Sequence, residues 1–430
     1  MTSVRNRSQQ RYSRSGRGQK DGVCDIRTGS AYLGLAALAG LVGGGIAVMA
    51  RVGQLPAMPG LARLTQVHSI LMLLYLVVPA LVGGFGTLWL PRALGRARIL
   101  ASGLNTTGLW LTVAGACGTL LAAGHDTGLR CATLLWCAGT LLTSMALLAT
   151  VFDSRADSLQ RQPFSPFVWG QTLAASSLLL MVPVFAAHIV RGWGQASLSV
   201  SSAVAGFAAP VSLVVLLVGF GLVFDMTARV GRSAIRPVVA VMAITAATGV
   251  VAWVKASLLP ADMAGQALQI GGALVGLYSL SAIAMAVAWV AATWKASITL
   301  RTPLLWGMGF VGVVAAGWGA QFLLGAGLHS ALQLGALYAI CGGFYLWRGE
   351  ECGFWYPQRL ARLHFFLTLA ATLLVFVPGQ QVSGAALFGL AALCFVVAAV
   401  SSFRKQAPAS VSTVLQPAPV RLGQSRRGFF

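Results

Sequence analysis

The chain has 430 residues, of which 57% are hydrophobic and only 9% charged, and its thirty Lys and Arg against nine Asp and Glu give a formal net charge of +21. A soluble domain carries about 25% charged residues, so there is too little polar surface to wrap a water-facing protein. The long uncharged apolar runs also exclude a soluble nucleic-acid binder of the same charge, and no nucleic-acid partner is expected.

Residues 1–28 are polar and rich in Arg and Ser, a composition that predicts a disordered tail. A span needs about 20 mainly apolar residues to cross the hydrocarbon layer. Twelve such runs follow, at 31–53, 66–91, 100–123, 131–152, 166–190, 203–226, 237–258, 265–293, 303–325, 327–348, 360–378 and 383–403. The connection between the ninth and tenth, around Ala326, is very short. The fold class is therefore all-α, a polytopic membrane protein with a twelve-helix transmembrane domain over 29–403 and a second basic tail over 404–430. The first run is a full-length span rather than the short apolar core of a signal peptide. With both ends cytoplasmic, only Arg51, Arg63, Arg130, Arg191 and Lys255 of the thirty cations fall on the outer side. That asymmetry follows the positive-inside rule and fits a bacterial cytoplasmic membrane. Membrane lipid is the expected surround, and the basic tails could reach anionic headgroups. No internal repeat stands out.

Ionisable residues at membrane depth are expensive and point to function. All nine acids fall in tails, loops or span ends: Asp21, Asp25, Asp126, Asp153, Asp157, Asp225, Asp262, Glu350 and Glu351. A proton-coupled carrier with a carboxylate at mid-membrane is thereby disfavoured. Cys117, Cys131, Cys137, Cys341 and Cys394 lie in apolar runs as small hydrophobes, and no C-x-x-C or C-x-x-C-H motif is present. His68 opens the second span and His329 the tenth. Both spans run from outside to inside, so both imidazoles sit near the outer face. Two neutral imidazoles on parallel helices can grip a haem iron from both sides, leaving it six-coordinate and suited to electron transfer. Spacing alone also allows the ordinary alternative, two packed histidines bonded to hydroxyls or carbonyls. His125, His188 and His364 are too scattered to converge on copper. Gly83-Gly84-Phe85-Gly86 lies within a span, where small residues allow close helix packing.

Several stretches carry a resemblance. QVHSILMLLYLVVPALVGGFGTLWLP (66–91) resembles the second helix of subunit I of the haem–copper oxidases, the cytochrome c and quinol oxidases. DIRTGSAYLGLAALAGLVGGGIAVMARVGQLPAMPG resembles that family's first helix and FVWGQTLAASSLLLMVPVFAA (167–187) its fifth. PVSLVVLLVGFGLV (210–223) resembles the sixth, and GALYAICGGFYLW (335–347) and RLARLHFFLTL (359–369) the tenth and eleventh. Order and spacing agree over roughly residues 25–403. The resemblance implies low-spin haem ligands at His68 and His329, with Arg51 beside that haem. It also shows departures. The family's His-Pro-Glu-Val-Tyr run of the sixth helix is matched by Ala209, Pro210, Val211, Ser212 and Leu213. The histidine pair after the seventh-helix tryptophan, here Trp253, is matched by Lys255 and Ala256. The high-spin haem ligand falls on Gly327, and the lysine of the eighth-helix proton path on Met285. Five histidines in the chain cannot supply the six that two haems and a copper take in this family.

The expectation is a divergent subunit I-like protein binding one bis-histidine low-spin haem and no copper. It would transfer electrons, or carry haem within a respiratory assembly, in company with other respiratory subunits or an electron-donor cytochrome. The rival readings are an active terminal oxidase and a haem-free transporter or assembly scaffold.

Overall fold

The computed structural model describes residues 3–52, 61–156, 164–193, 199–227, 232–258, 264–294, 300–324, 328–351 and 356–404. Within these, the side chains of 3–24, 52, 61–62, 155–156, 232–235, 264–275, 324, 328–330, 350–351 and 404 lie outside the description.

The described residues form twelve helical segments, matching the twelve spans read from the sequence. They are α1 (Ser3–Val52), α2 (Leu61–Ile70, continuing unbroken to Ala93), α3 (Ser102–Leu121) and α4 (Asp126–Ala156). Next come α5 (Pro166–Arg191), α6 (Val200–Gly206 and Ala208–Met226), α7 (Arg232–Leu258) and α8 (Ala264–Thr293). The last four are α9 (Thr302–Leu324), α10 (Leu328–Leu346, continuing to Glu351), α11 (Gln358–Val375) and α12 (Gln381–Arg404). Nine of the described segments are long and apolar enough to cross a membrane by length and composition alone. The chain is a multi-pass, all-α membrane protein.

One boundary differs from the sequence reading. Helix α1 begins at Ser3, inside the tail predicted to be disordered. Asp25 and Thr28 are already buried, and an Asp25 carboxylate oxygen accepts from the Ile99 backbone N–H at 2.8 Å. The packed bundle therefore includes residues before position 29, because the Asp25 carboxylate fastens α1 to the α2–α3 connection. The short junction near Ala326 does separate two helices, α9 and α10, although residues 325–327 lie outside the described ones. So do residues 405–430, on which most of the expected C-terminal tail falls.

Helix α2 is not uniform. It passes through two π-helical stretches, Leu71–Val77 and Pro79–Gly84, before returning to α geometry at Phe85–Ala93. Pro79 accounts for the disturbance, since proline has no N–H to give to a preceding carbonyl. Helix α6 is interrupted at Phe207 for a similar reason. Pro210 leaves the carbonyl of Gly206 without its helical donor, and the indole N–H of Trp253 on α7 supplies one at 2.9 Å.

The bundle has an inside and an outside. The apolar windows of α2 and α6 are 94% and 89% buried, against 22% for α1 and 17% for α12. In α10, every residue from 338 to 348 is buried. Helices α2, α6 and α10 touch one another at the centre, and α1 packs on both α2 and α12. Small residues set the closest crossings. A Cβ on Gly83 would lie 2.6 Å from the Tyr32 ring, and one on Gly84 would lie 2.5 Å from a Leu33 methyl. This is the packing role expected of the Gly83-Gly84-Phe85-Gly86 run. Between α3 and α4 the relation is reciprocal: a Cβ on Gly108 would meet the Gly139 carbonyl at 2.8 Å, and one on Gly139 the Gly108 carbonyl at 2.6 Å.

Candidate functional site

His68 lies in the second turn of α2 and is half-buried. Its Nδ1 is 2.7 Å from the backbone carbonyl of Gly43 on α1. A carbonyl only accepts, so Nδ1 carries the proton and donates it, and Nε2 of the neutral ring keeps its lone pair. A metal-ligating histidine is oriented in this same way, by giving its other ring N–H to a backbone carbonyl. Gly43 permits the approach, since a Cβ there would sit 3.1 Å from the Met72 sulfur and 3.4 Å from Leu71 Cβ.

Arg51 occupies the last turn of α1, two turns beyond Gly43 and at the same end of the bundle as His68. Its side chain is exposed, and among the described residues no hydrogen bond or ion pair reaches it. His329 lies in the first turn of α10, but its side chain is outside the described residues. Helix α10 packs against the π-helical stretch Leu71–Val77, directly after the turn that carries His68. The two histidine-bearing helix starts thus belong to neighbouring, parallel inner helices. The donor chemistry fits a haem iron on the His68 side, where an oriented, neutral imidazole offers Nε2.

The other histidines stand apart. His125 is exposed in the α3–α4 connection and His188 half-buried near the end of α5. The His364 Nδ1 pairs with the Tyr345 hydroxyl at 3.0 Å, within a cluster of Trp306 and Phe395 rings. Among the described residues no three His, Cys, Asp or Glu side chains group closely enough to hold a metal ion. Around the centre of α6, Val211 and Leu213 are buried among hydrocarbon, and the Ser212 hydroxyl donates back to the Ala208 carbonyl at 2.8 Å. Met285 is fully buried on α8, while Lys255 is half-buried near the end of α7.

A buried polar string between α1, α2, α3 and α4 was not singled out from the sequence. The hydroxyls of Thr28 and Thr106 lie 3.4 Å apart, Asn105 Nδ2 donates to the Thr87 hydroxyl at 2.9 Å, and the Tyr32 hydroxyl bonds Thr143 at 2.5 Å. The Tyr32 hydroxyl also lies 3.3 Å from the Asn105 carbonyl. The available signal was Asn105, an amide inside an otherwise apolar run. At the end of the bundle where α2 begins, Arg130 is buried, donating through Nε to Asp126 and at 2.8 Å to the Ile189 carbonyl. Both line a cleft of about 280 Å³ with Gln66, Ser199 and Ser201.

A bundle of this kind, with three largely buried helices among more exposed ones and an oriented imidazole near one end, defines a multi-pass membrane protein. Sequence comparison supplies the family. The profile described as Cytochrome C and Quinol oxidase polypeptide I matches residues 27–409, and the chain belongs to that family. It is 26% identical over 376 residues to the cytochrome c oxidase subunit 1 of Cereibacter sphaeroides, covering 72% of this chain and 65% of the relative. It is 22% identical over 416 residues to that of Debaryomyces hansenii, covering 81% of this chain and 77% of the relative. The match thus spans just under two thirds of the bacterial relative. The chain is a cytochrome c oxidase subunit I-like membrane protein.

Proposed function

We propose that the chain binds one low-spin haem between His68 and His329, holds no copper and no second haem, and serves as an electron-transfer or haem-bearing subunit of a respiratory assembly. The observation that carries this reading is the His68 Nδ1 to Gly43 carbonyl hydrogen bond, which fixes the tautomer and leaves Nε2 as a ligand atom. A haem with two imidazole ligands supplies one-electron chemistry without an open coordination position. Gly43 orients the His68 ring, and α1 keeps Arg51 at the same end of the bundle, where its guanidinium is placed to meet acidic haem substituents. The family's copper and high-spin haem positions carry Ala209, Lys255, Ala256 and Gly327, none of which offers an imidazole. The partners in this reading are membrane lipid, other respiratory subunits and an electron-donor cytochrome. The location is a bacterial cytoplasmic membrane with both termini inside, and the basic segments read as 1–28 and 404–430 flank the membrane domain, the first joining the bundle from Asp25 onward.

An active terminal oxidase is the second reading, favoured by the family match itself. A haem-free scaffold is the third. A reduced-minus-oxidised optical spectrum with metal analysis separates them, repeated on His68→Ala and His329→Ala. One low-spin haem per chain, lost in either variant, with no copper, supports the proposal. Stoichiometric copper with oxygen consumption supports the oxidase, and a colourless preparation despite added haem supports the scaffold.

A further inference from the structure

The π-helical stretch of α2 begins three residues after His68, and its register decides which way that histidine faces. Converting one π insertion to α geometry removes a residue's worth of turn, so everything upstream rotates by about 100° about the axis. His68 would then leave the Gly43 carbonyl.

Pro79 makes the two registers distinguishable. In α geometry the carbonyl deprived of a donor by Pro79 is that of Tyr75, four residues earlier. In π geometry it is that of Leu74, five residues earlier. The Leu74 carbonyl is the one that receives an outside donor: the indole N–H of Trp136 on α4, at 2.7 Å. Trp136 is fully buried and wedged edge-on against Phe185 and Phe207, so its N–H is held in place. A second side chain serves the exit from the π region. There the Phe85 N–H bonds the Ala80 and Val82 carbonyls, passing over Leu81. The Leu81 carbonyl takes the Gln171 side-chain amide at 2.8 Å instead.

We infer that Trp136, seconded by Gln171, is a positioning residue: it stabilises the π register of α2 by serving the carbonyl which that register orphans, and so sets the rotation of His68 toward its ligand. The inference rests on the haem reading above. Trp136→Phe keeps the ring's bulk and removes the donor. The matched comparison is Trp253→Phe, which deletes an indole N–H bond to the Gly206 carbonyl away from α2.

Two readouts on the purified full chain test it. The first is the electron paramagnetic resonance spectrum and midpoint potential of the haem. The second is amide hydrogen exchange over residues 71–84, which needs no haem. Losing one buried hydrogen bond is expected to move the ratio of low-spin to high-spin haem about fivefold in Trp136→Phe. The same variant should shift the potential and speed exchange over 71–84, and Trp253→Phe should change neither. Wild-type spectrum, potential and exchange in Trp136→Phe overturn the inference. So does a haem change without an exchange change, or an equal haem change in Trp253→Phe. Should Trp136→Phe fail to fold, Gln171→Leu puts the same question at Leu81. If the unaltered chain holds no haem, the proposed function falls, while exchange still reports whether Trp136 holds the π register.

Discussion

Replacing Gly83 by alanine tests the account of how α1 seats on α2. The new methyl would lie 2.6, 2.8 and 2.9 Å from three carbons of the Tyr32 ring. Real Cβ contacts do not come that close, so the ring must move. It is not free to do so, because its hydroxyl is tied to Thr143 and to the Asn105 carbonyl. The adjoining void, about 10 Å³ between Tyr32, Gly83 and Thr143, is also too small to receive a ring. Overpacking costs typically 1–3 kcal/mol, and giving up the hydroxyl bonds adds about 0.6 kcal/mol for each in a membrane protein. A loss of about 2–4 kcal/mol follows. The assay is reversible unfolding in mixed micelles, with Gly34→Ala on the same helix pair as reference, since nothing lies within 4 Å of a Cβ there. Gly34→Ala should change stability by less than about 0.5 kcal/mol. Adding Tyr32→Phe to Gly83→Ala should restore part of the loss, because the ring is then untied. If Gly83→Ala and Gly34→Ala unfold together, the clash has been absorbed and the reasoning is wrong.

Two further outcomes are expected. Arg130→Ala should destabilise the fold by about 1–3 kcal/mol by stranding the Ile189 carbonyl and releasing Asp126. Arg130→Lys should recover less than half of that in denaturant titrations, and full recovery would show that charge alone matters there. For topology, single cysteines at the exposed positions Ala97, His125 and Gln380 in a cysteine-free chain should divide by side. A membrane-impermeant maleimide should label 125 and 380 in intact cells and 97 only after lysis, and the reverse pattern would invert the proposed orientation.

The sequence made the number and order of the helices legible because the apolar runs were punctuated by charge or by Pro and Gly. It could not show which helices lie inside. In lipid, Leu and Val face outward as readily as inward, so the apolar runs of α6 and α12 look alike, although one is buried and the other mostly exposed. His68 was legible as an ionisable group at a span's end, but its hydrogen bond to Gly43 was not, because the partner is a backbone atom on another helix. The π stretches left a trace in Pro79, a proline amid an apolar run. Their extent depended on where Trp136 and Gln171 could reach, which is tertiary information. The packing of Asp25 and Thr28 stayed hidden for the same kind of reason: composition reports solvation and does not see a carboxylate finding the Ile99 N–H.

The mutual fit of Gly108 and Gly139 bears on how the chain enters a bilayer. Each helix offers the other a bare stretch of main chain, and the tight turn joining them includes Gly124 at φ 87°. Two such segments emerging one after the other from a translocation channel can zip together with no help from later parts of the polypeptide. A bulky side chain at either glycine is therefore expected to show itself first as failed biogenesis.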